Sequence, residues 1–328
     1  MTPLLFDVDT MTAALELAVK APSVHNTQPW RWQVGDGRVE LYSDPARQLP
    51  VEDPDGQAMV VSCGAALHHL RVALAVTGWS AIPEFLPDPD DPNHLATVTV
   101  SPRPPSDTDI QLAAAILLRK SERRRFAPLP LPAGALRALS STVVEFGAVA
   151  RNIPEQLLPL LAEPMRAAAA RHRSDAAYLR ELATWSGRAD HGDGVPSHTT
   201  VLPRHDDPLP LRAFRDPGLD DPGEGADHAS WVVICTAADD RRARLRAGEA
   251  TSALLLGATS LGLATCIQSE PLGIPELRDA IRHSLLHDCA HPQVVVRVGR
   301  LHHTAPPVSA SPRRPLADVL EPPTRRVA

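Results

Sequence analysis

Apolar residues recur at helical spacing through Met11, Ala14, Leu15, Ala18 and Val19, which predicts a helix over 11–20 that Pro22 stops. Two short runs, 30–34 and 38–42, predict neighbouring strands. A long apolar pattern then predicts a helix over 57–77, followed by a strand over 95–100. Helices are predicted near 107–120, 133–147 and 154–183. A strand over 230–236, helices over 241–261 and 275–286, and a strand over 293–299 complete the order. Strands separated by helices, with the early strands adjacent, predict an α+β fold.

The pattern repeats. Residues 64–79 read GAALHHLRVALAVTGW and residues 248–263 read GEATSALLLGATSLGL. Gly64 aligns with Gly248, Ala66 with Ala250, Leu70 with Leu254 and Gly78 with Gly262. Each segment reads as a long helix closed by glycine, and a β-rich run follows each. Internal duplication is the expectation, with one half over 1–115 and the other over 116–328. Small residues on one face of 248–261 would let the two helices approach closely. Residues 186–228 break the pattern with Gly, Pro, Asp and four histidines, and are too long for a quiet connector. They are expected to form a lid.

Composition narrows the class. The chain has 328 residues, 43% of them hydrophobic, enough for one large domain or two modest ones. A net charge of −6 with interspersed signs argues against general nucleic-acid binding. The 34 prolines cluster in connecting segments between strong helix patterns. No uninterrupted apolar run approaches membrane-spanning length, so no membrane span is expected. Met1–Thr10 lacks the positive region of a signal peptide. Cys63, Cys235, Cys266 and Cys289 are scattered, which reads as reduced cytoplasmic thiols.

Three stretches carry candidate chemistry. Pro22-Ser23-Val24-His25-Asn26-Thr27-Gln28-Pro29-Trp30 sets short neutral donors and acceptors on an irregular helix-to-strand loop. Such side chains suit a ring edged with carbonyls and ring nitrogens, and equally suit a local turn. Arg119-Lys120-Ser121-Glu122-Arg123-Arg124-Arg125 is the strongest cationic cluster. It fits a solvated helix end, or an Arg-x-Ser-x-Arg phosphate cradle of planar donors and a hydroxyl. Gly262–Ser269 and the tail Ser311-Pro312-Arg313-Arg314-Pro315 are further candidates. His283 and His287 stand one helical turn apart near Cys289 and His291, a spacing that could bind a metal, though no catalytic acid sits between them. No metal ligand is assigned. G-x-S-x-G, G-x-G-x-x-G and Walker motifs are absent.

Pro-Ser-x-x-Asn-x-Gln-Pro-Trp resembles the flavin-binding loop of the nitroreductase family, and Arg-x-Ser-x-Arg resembles that family's phosphate-binding motif. In the family the second motif precedes the first within one subunit, and the flavin lies between two subunits. Here Arg-x-Ser-x-Arg follows the loop, in the other half of the chain. Gly262-Leu263-Ala264-Thr265 is similar to the family's Gly-Leu-Gly-Thr run, with Ala264 in place of the second glycine. The chain thus resembles the Acg-like, single-chain branch of the family. The resemblance covers most of the chain and is weakest over 150–228.

The resemblance implies a monomeric pseudodimer holding one FMN, with NAD(P)H as co-substrate and a nitro or quinone-like small-molecule acceptor. It implies no catalytic side chain, since the flavin carries the chemistry. Arg119, Lys120, Ser121 and Arg123 are expected at the phosphate and ribityl chain, with Arg313 and Arg314 arriving from the tail. Ser23, Asn26 and Gln28 are expected at the ring edge or ribityl hydroxyls, and Gln268 and Ser269 near the ring. A flavin-sequestering protein without turnover and a metal-binding regulatory protein are the alternatives.

Overall fold

The computed structural model describes residues 7–35, 37–188, 192–204, 207, 209–223 and 225–322. Helix α1 (Val8–Ala18) starts where the Asp7 carboxylate accepts from Thr10 N. Strands β1 (Trp30–Gly35) and β2 (Arg38–Ser43) form an antiparallel hairpin, with Trp30 opposite Ser43 and Gly35 opposite Arg38. Helix α2 (Gln57–Val76) leads to β3 (Trp79–Phe85) and β4 (His94–Pro102). These strands form one sheet in the order β3-β4-β2-β1, and the tail adds β9 (Leu320–Glu321) parallel to β1.

Helix α3 (Asp107–Leu118) opens with a capping box in which Ser106 and Asp109 satisfy each other's backbone. After α4 (Ala135–Val144) come β5 (Ala148–Ile153), α5 (Leu158–Ser174) and α6 (Ala176–Trp185). The expected single helix over 154–183 is two helices. Asp175 departs from helical geometry, and its carboxylate caps α6 through Ala177 N and Tyr178 N. Strand β6 (Ser230–Thr236), α7 (Arg241–Ser260), β7 (Ala264–Ile267), α8 (Pro275–Leu286) and β8 (His291–Gly299) follow. The second sheet runs β5-β6-β8-β7, each pair antiparallel. Helices and strands are thus mixed in an α+β arrangement.

Sequence patterning did not reveal β3, β5 or β7. Strand β3 lies at a sheet edge and contains Pro83, which cannot donate to a ladder. Strand β7 has four residues, too few for alternation to show. The membrane reading also needs correction in detail: α2 is long and apolar enough to span a bilayer by length and composition. Its residues are instead buried on every side, as expected of a helix that is apolar all round. It packs on the first sheet through Cys63, Leu67, Leu70 and Leu74, and against α7 on another face.

The α2–α7 crossing is unusually close. A Cβ on Gly64 would lie 2.0 Å from the Leu245 carbonyl oxygen, and one on Gly248 would lie 2.1 Å from the Val61 carbonyl oxygen. These contacts are reciprocal: the register that equates Gly64 with Gly248 also equates Val61 with Leu245. The same register equates His68 with Ser252, and His68 Nδ1 meets Ser252 Oγ at 2.8 Å. Equivalent positions therefore touch one another, the signature of a two-fold contact.

Gly64→Ala and Gly248→Ala are each expected to lower unfolding free energy by about 2–3 kcal/mol, because backbone, not a flexible side chain, blocks the new methyl group. Urea unfolding midpoints provide the measurement. A loss below about 0.5 kcal/mol would show that the crossing widens freely.

Candidate functional site

The loop between α1 and β1 is held in uncommon backbone geometry. His25, Asn26 and Gln28 have φ of 45°, 55° and 50°, although none is glycine. Such residues cost about 1–3 kcal/mol each and persist where surroundings over-determine them. Ser23 Oγ accepts from Gln28 N at 2.9 Å, and Val24 N donates to Ser62 Oγ of α2 at 3.2 Å. Asn26 Nδ2 donates to the carbonyls of Gly194 and Pro312. Gln28 Nε2 donates to Gly192 O, while its Oε1 accepts from Arg314 N at 2.9 Å. The loop thereby ties together α2, the segment after α6 and the tail.

Two cavities of about 140 Å³ and about 150 Å³ adjoin at this loop, sharing Pro22, Ser23, His25, Ser121 and Arg123. The first runs along one face of α2, where Ala58, Val61, Ser62 and Ala65 follow helical spacing. Thr251 of α7 faces the same space, so this compartment sits beside the helix crossing. Its other walls include Cys266, Ile267, Gln268 and Ser269 from the end of β7, and Arg212 and Phe214 from the segment after α6. Ser269 Oγ accepts from Val295 N, and Gln268 Nε2 donates to Cys266 Sγ.

The second compartment is cationic. Lys20, Arg119, Lys120, Arg123 and Arg313 line it, and no carboxylate does among the described residues. Arg119 is buried, and its Nε has no hydrogen-bond partner. Burial, with Arg123 adding to it, pushes Arg119 down to about 10. Burial and Arg119 push Arg313 down to about 9. Burial, Arg119, Arg313 and Lys20 likewise lower Lys120. Arg313 is oriented by the carbonyls of Lys20, Ala21, Ser311 and Pro312. Clustered guanidinium groups taken from water without a counter-ion favour an anion.

The basic run divides by direction. Ser121 pairs with Thr265 and Glu122 N donates to Thr265 O, so the run extends the edge of the second sheet at β7. Arg119, Lys120, Ser121 and Arg123 face the cavities. Arg124 turns to Glu122, and Arg125 to Asp207. Those two cations are neutralised inside the protein and are not available to a ligand.

No protein-family model matches the chain. It is 42% identical over 320 residues to "Putative NAD(P)H nitroreductase Rv3131" of Mycobacterium tuberculosis (strain ATCC 25618 / H37Rv), covering 96% of this chain and 92% of that one. It is 35% identical over 323 residues to "Putative NAD(P)H nitroreductase acg" of the same strain, covering 97% of each. The chain belongs to this Acg-like nitroreductase family. Among solved structures, the FMN-dependent nitroreductase NfnB from Mycobacterium smegmatis, in complex with NADPH, aligns over 68% of this chain and all of its own, at 17% identity and TM-score 0.40. That likeness is too distant to carry an argument.

Nine of the expected residues line the two compartments: Ser23, Asn26, Arg119, Lys120, Ser121, Arg123, Gln268, Ser269 and Arg313. Gln28 and Arg314 line neither. Gln28 is fully buried, its amide engaged with Gly192 and the Arg314 backbone, while Arg314 Nη2 donates to Asp318 O. Both tie the tail to the loop. Sequence reasoning missed His25, Glu52 and Arg212. Arg212 donates to His25 Nε2 at 2.8 Å and to Glu52 Oε1 at 2.5 Å. Burial raises Glu52, with Arg212 opposing it. Burial works to lower Arg212, but Glu52, Tyr178 and Glu270 together outweigh it and raise the group. Lys20 and Phe214 were missed as well. No local pattern marks any of them, because they meet only through the folded path of the chain. Among the described residues, the late histidines form no metal cluster: His283 Nδ1 lies 2.9 Å from Asp288.

Burial holds His68 down at about 3, and holds His25 and His69 well below the ordinary imidazole range. Their folded pKa values lie below the unfolded value near 6.5. The stability they confer is therefore complete above about pH 6.5 and is lost as pH falls toward the folded values. Each unmatched proton contributes about 1.4 kcal/mol per pH unit. Urea midpoints should drop between about pH 7.5 and about pH 5. His69→Leu should make that drop shallower by one histidine's share; an unchanged slope would mean that His69 is protonated in the fold.

Proposed function

We propose that this chain binds one FMN and uses it for NAD(P)H-dependent two-electron reduction of a nitro or quinone-like small molecule. One observation carries the reading: a compartment lined by five cations and, among the described residues, no carboxylate adjoins a mostly neutral compartment between α2 and the end of β7. The partnerless Nε of buried Arg119 and the Ser121 hydroxyl fit a phosphate monoester. Neutral groups such as Gln57, Ser62, Thr251 and Gln268 on apolar walls fit a heterocycle edged with carbonyls. FMN in these compartments supplies the electron transfer. Arg119, Lys120, Arg123 and Arg313 would neutralise its phosphate, and Ser23, Asn26 and Ser121 would address the ribityl hydroxyls. Gln268 and Ser269 would border the ring.

In the same reading the halves 1–115 and 116–328 form a cytoplasmic, monomeric pseudodimer that needs no second chain, nucleic acid or membrane. The reciprocal Gly64–Gly248 and His68–Ser252 contacts support it. A reading as a flavin-sequestering protein with little turnover is favoured by a separate feature. Val195, Thr199, Arg212 and Phe214, all from the 186–228 segment, line the compartments as a lid would.

Arg119→Met should weaken FMN about 10- to 100-fold, the range of a lost charge-assisted hydrogen bond. Riboflavin, lacking phosphate, should be nearly unaffected. Equal losses for both ligands in titration calorimetry would remove Arg119 from the phosphate site.

Phe214→Ala tests the lid with less disturbance than deletion, which would strip Arg125 of Asp207. If the segment restricts access, the variant's bound flavin should bleach severalfold faster with anaerobic NADPH in stopped-flow absorbance. Rapid bleaching in the unsubstituted chain, unchanged by Phe214→Ala, would favour the reductase over the sequestering reading.

A further inference from the structure

The two nitrogens of His25 are made unlike by their surroundings. Nε2 lies 2.8 Å from Nη1 of Arg212. An arginine carries five donors, no acceptor, and a charge it does not lose. Nε2 must therefore be the bare nitrogen, and the ring proton sits on Nδ1. Arg212 is aimed by Glu52, which accepts from Nη2 at 2.5 Å. Glu52 is placed in turn by Glu181 of α6, whose carboxylate accepts from Val51 N and Glu52 N at 3.0 Å and 2.8 Å. Phe214 packs against the imidazole, with centroids 5.7 Å apart and planes at 87°. Nδ1 has no hydrogen-bond partner among the described residues, and it is not sealed from the cavity. His25 lines both compartments.

We propose that His25 is a tautomer-locked neutral donor whose Nδ1–H binds an acceptor oxygen of the ligand lying across the two compartments. Arg212 is its positioning residue, acting through Nε2. The proposal rests on the FMN reading, in which that oxygen belongs to the ribityl chain or the ring. The charged and titratable groups facing the imidazole are Arg212 and Glu52, Arg123 from the basic run, and His172 from α5. Arg212, Arg123 and His172 oppose a second proton on the ring, and the Glu52 carboxylate is already paired with Arg212. A neutral ring loses neither its donor nor its direction across the physiological pH range. The positive φ at His25 adds a constraint of its own: the backbone, as well as the side chain, sets where Nδ1 points.

Two measurements test this. In nitrogen-15 correlation spectra of histidine-labelled protein, the His25 signal, assigned by its loss in His25→Asn, should report the Nδ1–H tautomer. It should not titrate between about pH 8 and about pH 5. In Arg212→Met it should begin to titrate. A proton found on Nε2, or a His25 titrating near 6.5 in the unsubstituted chain, overturns the proposal. FMN binding, followed by flavin fluorescence, supplies the second readout. Asn overlays its amide nitrogen on Nδ1 and tolerates positive φ, so His25→Asn should bind within about threefold of the unsubstituted chain. His25→Gln keeps a partner for Arg212 but lacks the Nδ1 donor, and His25→Ala lacks both. Each should bind about three- to tenfold more weakly. Equal binding by Gln and Asn variants with matching melting temperatures overturns the proposal alone. No FMN binding by the unsubstituted chain overturns both the cofactor reading and the proposal.

Discussion

The close approach of α2 and α7 is the constraint on which the rest of the structure depends. Two helices can approach until their side chains touch, usually 8–10 Å between axes. At Gly64 and Gly248 there are no side chains, and each glycine faces a carbonyl of the other helix. That crossing brings the first sheet, which packs on α2, close to the second, which packs on α7 through Ala250, Leu254 and Ala258. It also sets the distance between the α2 face bearing Ala58, Val61, Ser62 and Ala65 and the end of β7 bearing Gln268 and Ser269. The first compartment is the space left between them. Core packing and the site's dimensions are therefore one problem: a methyl group added at the crossing alters both.

The cationic compartment poses the opposite energetic question, since it gathers like charges that folding alone would separate. Burial, with repulsion from Arg123 and Arg119 respectively, lowers Arg119 to about 10 and Arg313 to about 9. Backbone carbonyls around Arg313 relieve part of that cost by hydrogen bonding, but they carry no net charge. Elsewhere the protein handles buried arginine differently. Arg124 meets Glu122, Arg125 meets Asp207, and Arg297 meets Asp227. Two of these pairs, Arg125–Asp207 and Arg297–Asp227, hold the 186–228 segment to the second sheet and the basic run; Arg119 and Arg313, with no carboxylate partner among the described residues, line the cationic compartment. The contrast within one seven-residue run separates internally neutralised arginines from those that line a cavity, and composition cannot make that distinction.

Much of this was legible in the chain because it depends on local spacing. Helices α2, α7 and α8 and strands β6 and β8 show long, unbroken patterns. Ser23, Arg119, Ser121 and Arg123 sit in short motifs whose residue types suit a phosphate and a polar heterocycle. What escaped reading depends on chain path. Arg212 comes from a segment with no periodicity, and it reaches His25 and Glu52 through the path of that segment, whose Gly194 and Gly192 are also held by Asn26 and Gln28. Lys20 lies beyond the end of α1 and joins a cationic cluster only where the fold brings the basic run and the tail's Arg313 beside it. Gln28 and Arg314 show the converse. Their residue types suit a ligand, but their hydrogen-bonding groups are engaged in joining loop to tail.

The two-fold relation between the helices also sets the compartment-lining face of α2 against an equivalent face of α7 with different side chains. The register that equates Gly64 with Gly248 places Ala58, Val61, Ser62 and Ala65 opposite Arg242, Leu245, Arg246 and Glu249. Small side chains on α2 leave room; long charged ones on α7 fill it. Glu249 is buried and accepts from Arg71 at 2.6 Å, and the Arg71 guanidinium lies 5.3 Å from the Phe146 ring centroid. Arg246 packs against Gly147, where even a Cβ would meet it at 2.8 Å. Removing one partner of the Arg71–Glu249 pair would leave a buried charge uncompensated, so the filled face is stable as a unit. A frame with two equivalent halves thus keeps its symmetry in the backbone at the axis, where two glycines must meet. It loses that symmetry one helical turn away, where small side chains on α2 line a cavity and long charged ones stand at the equivalent positions of α7.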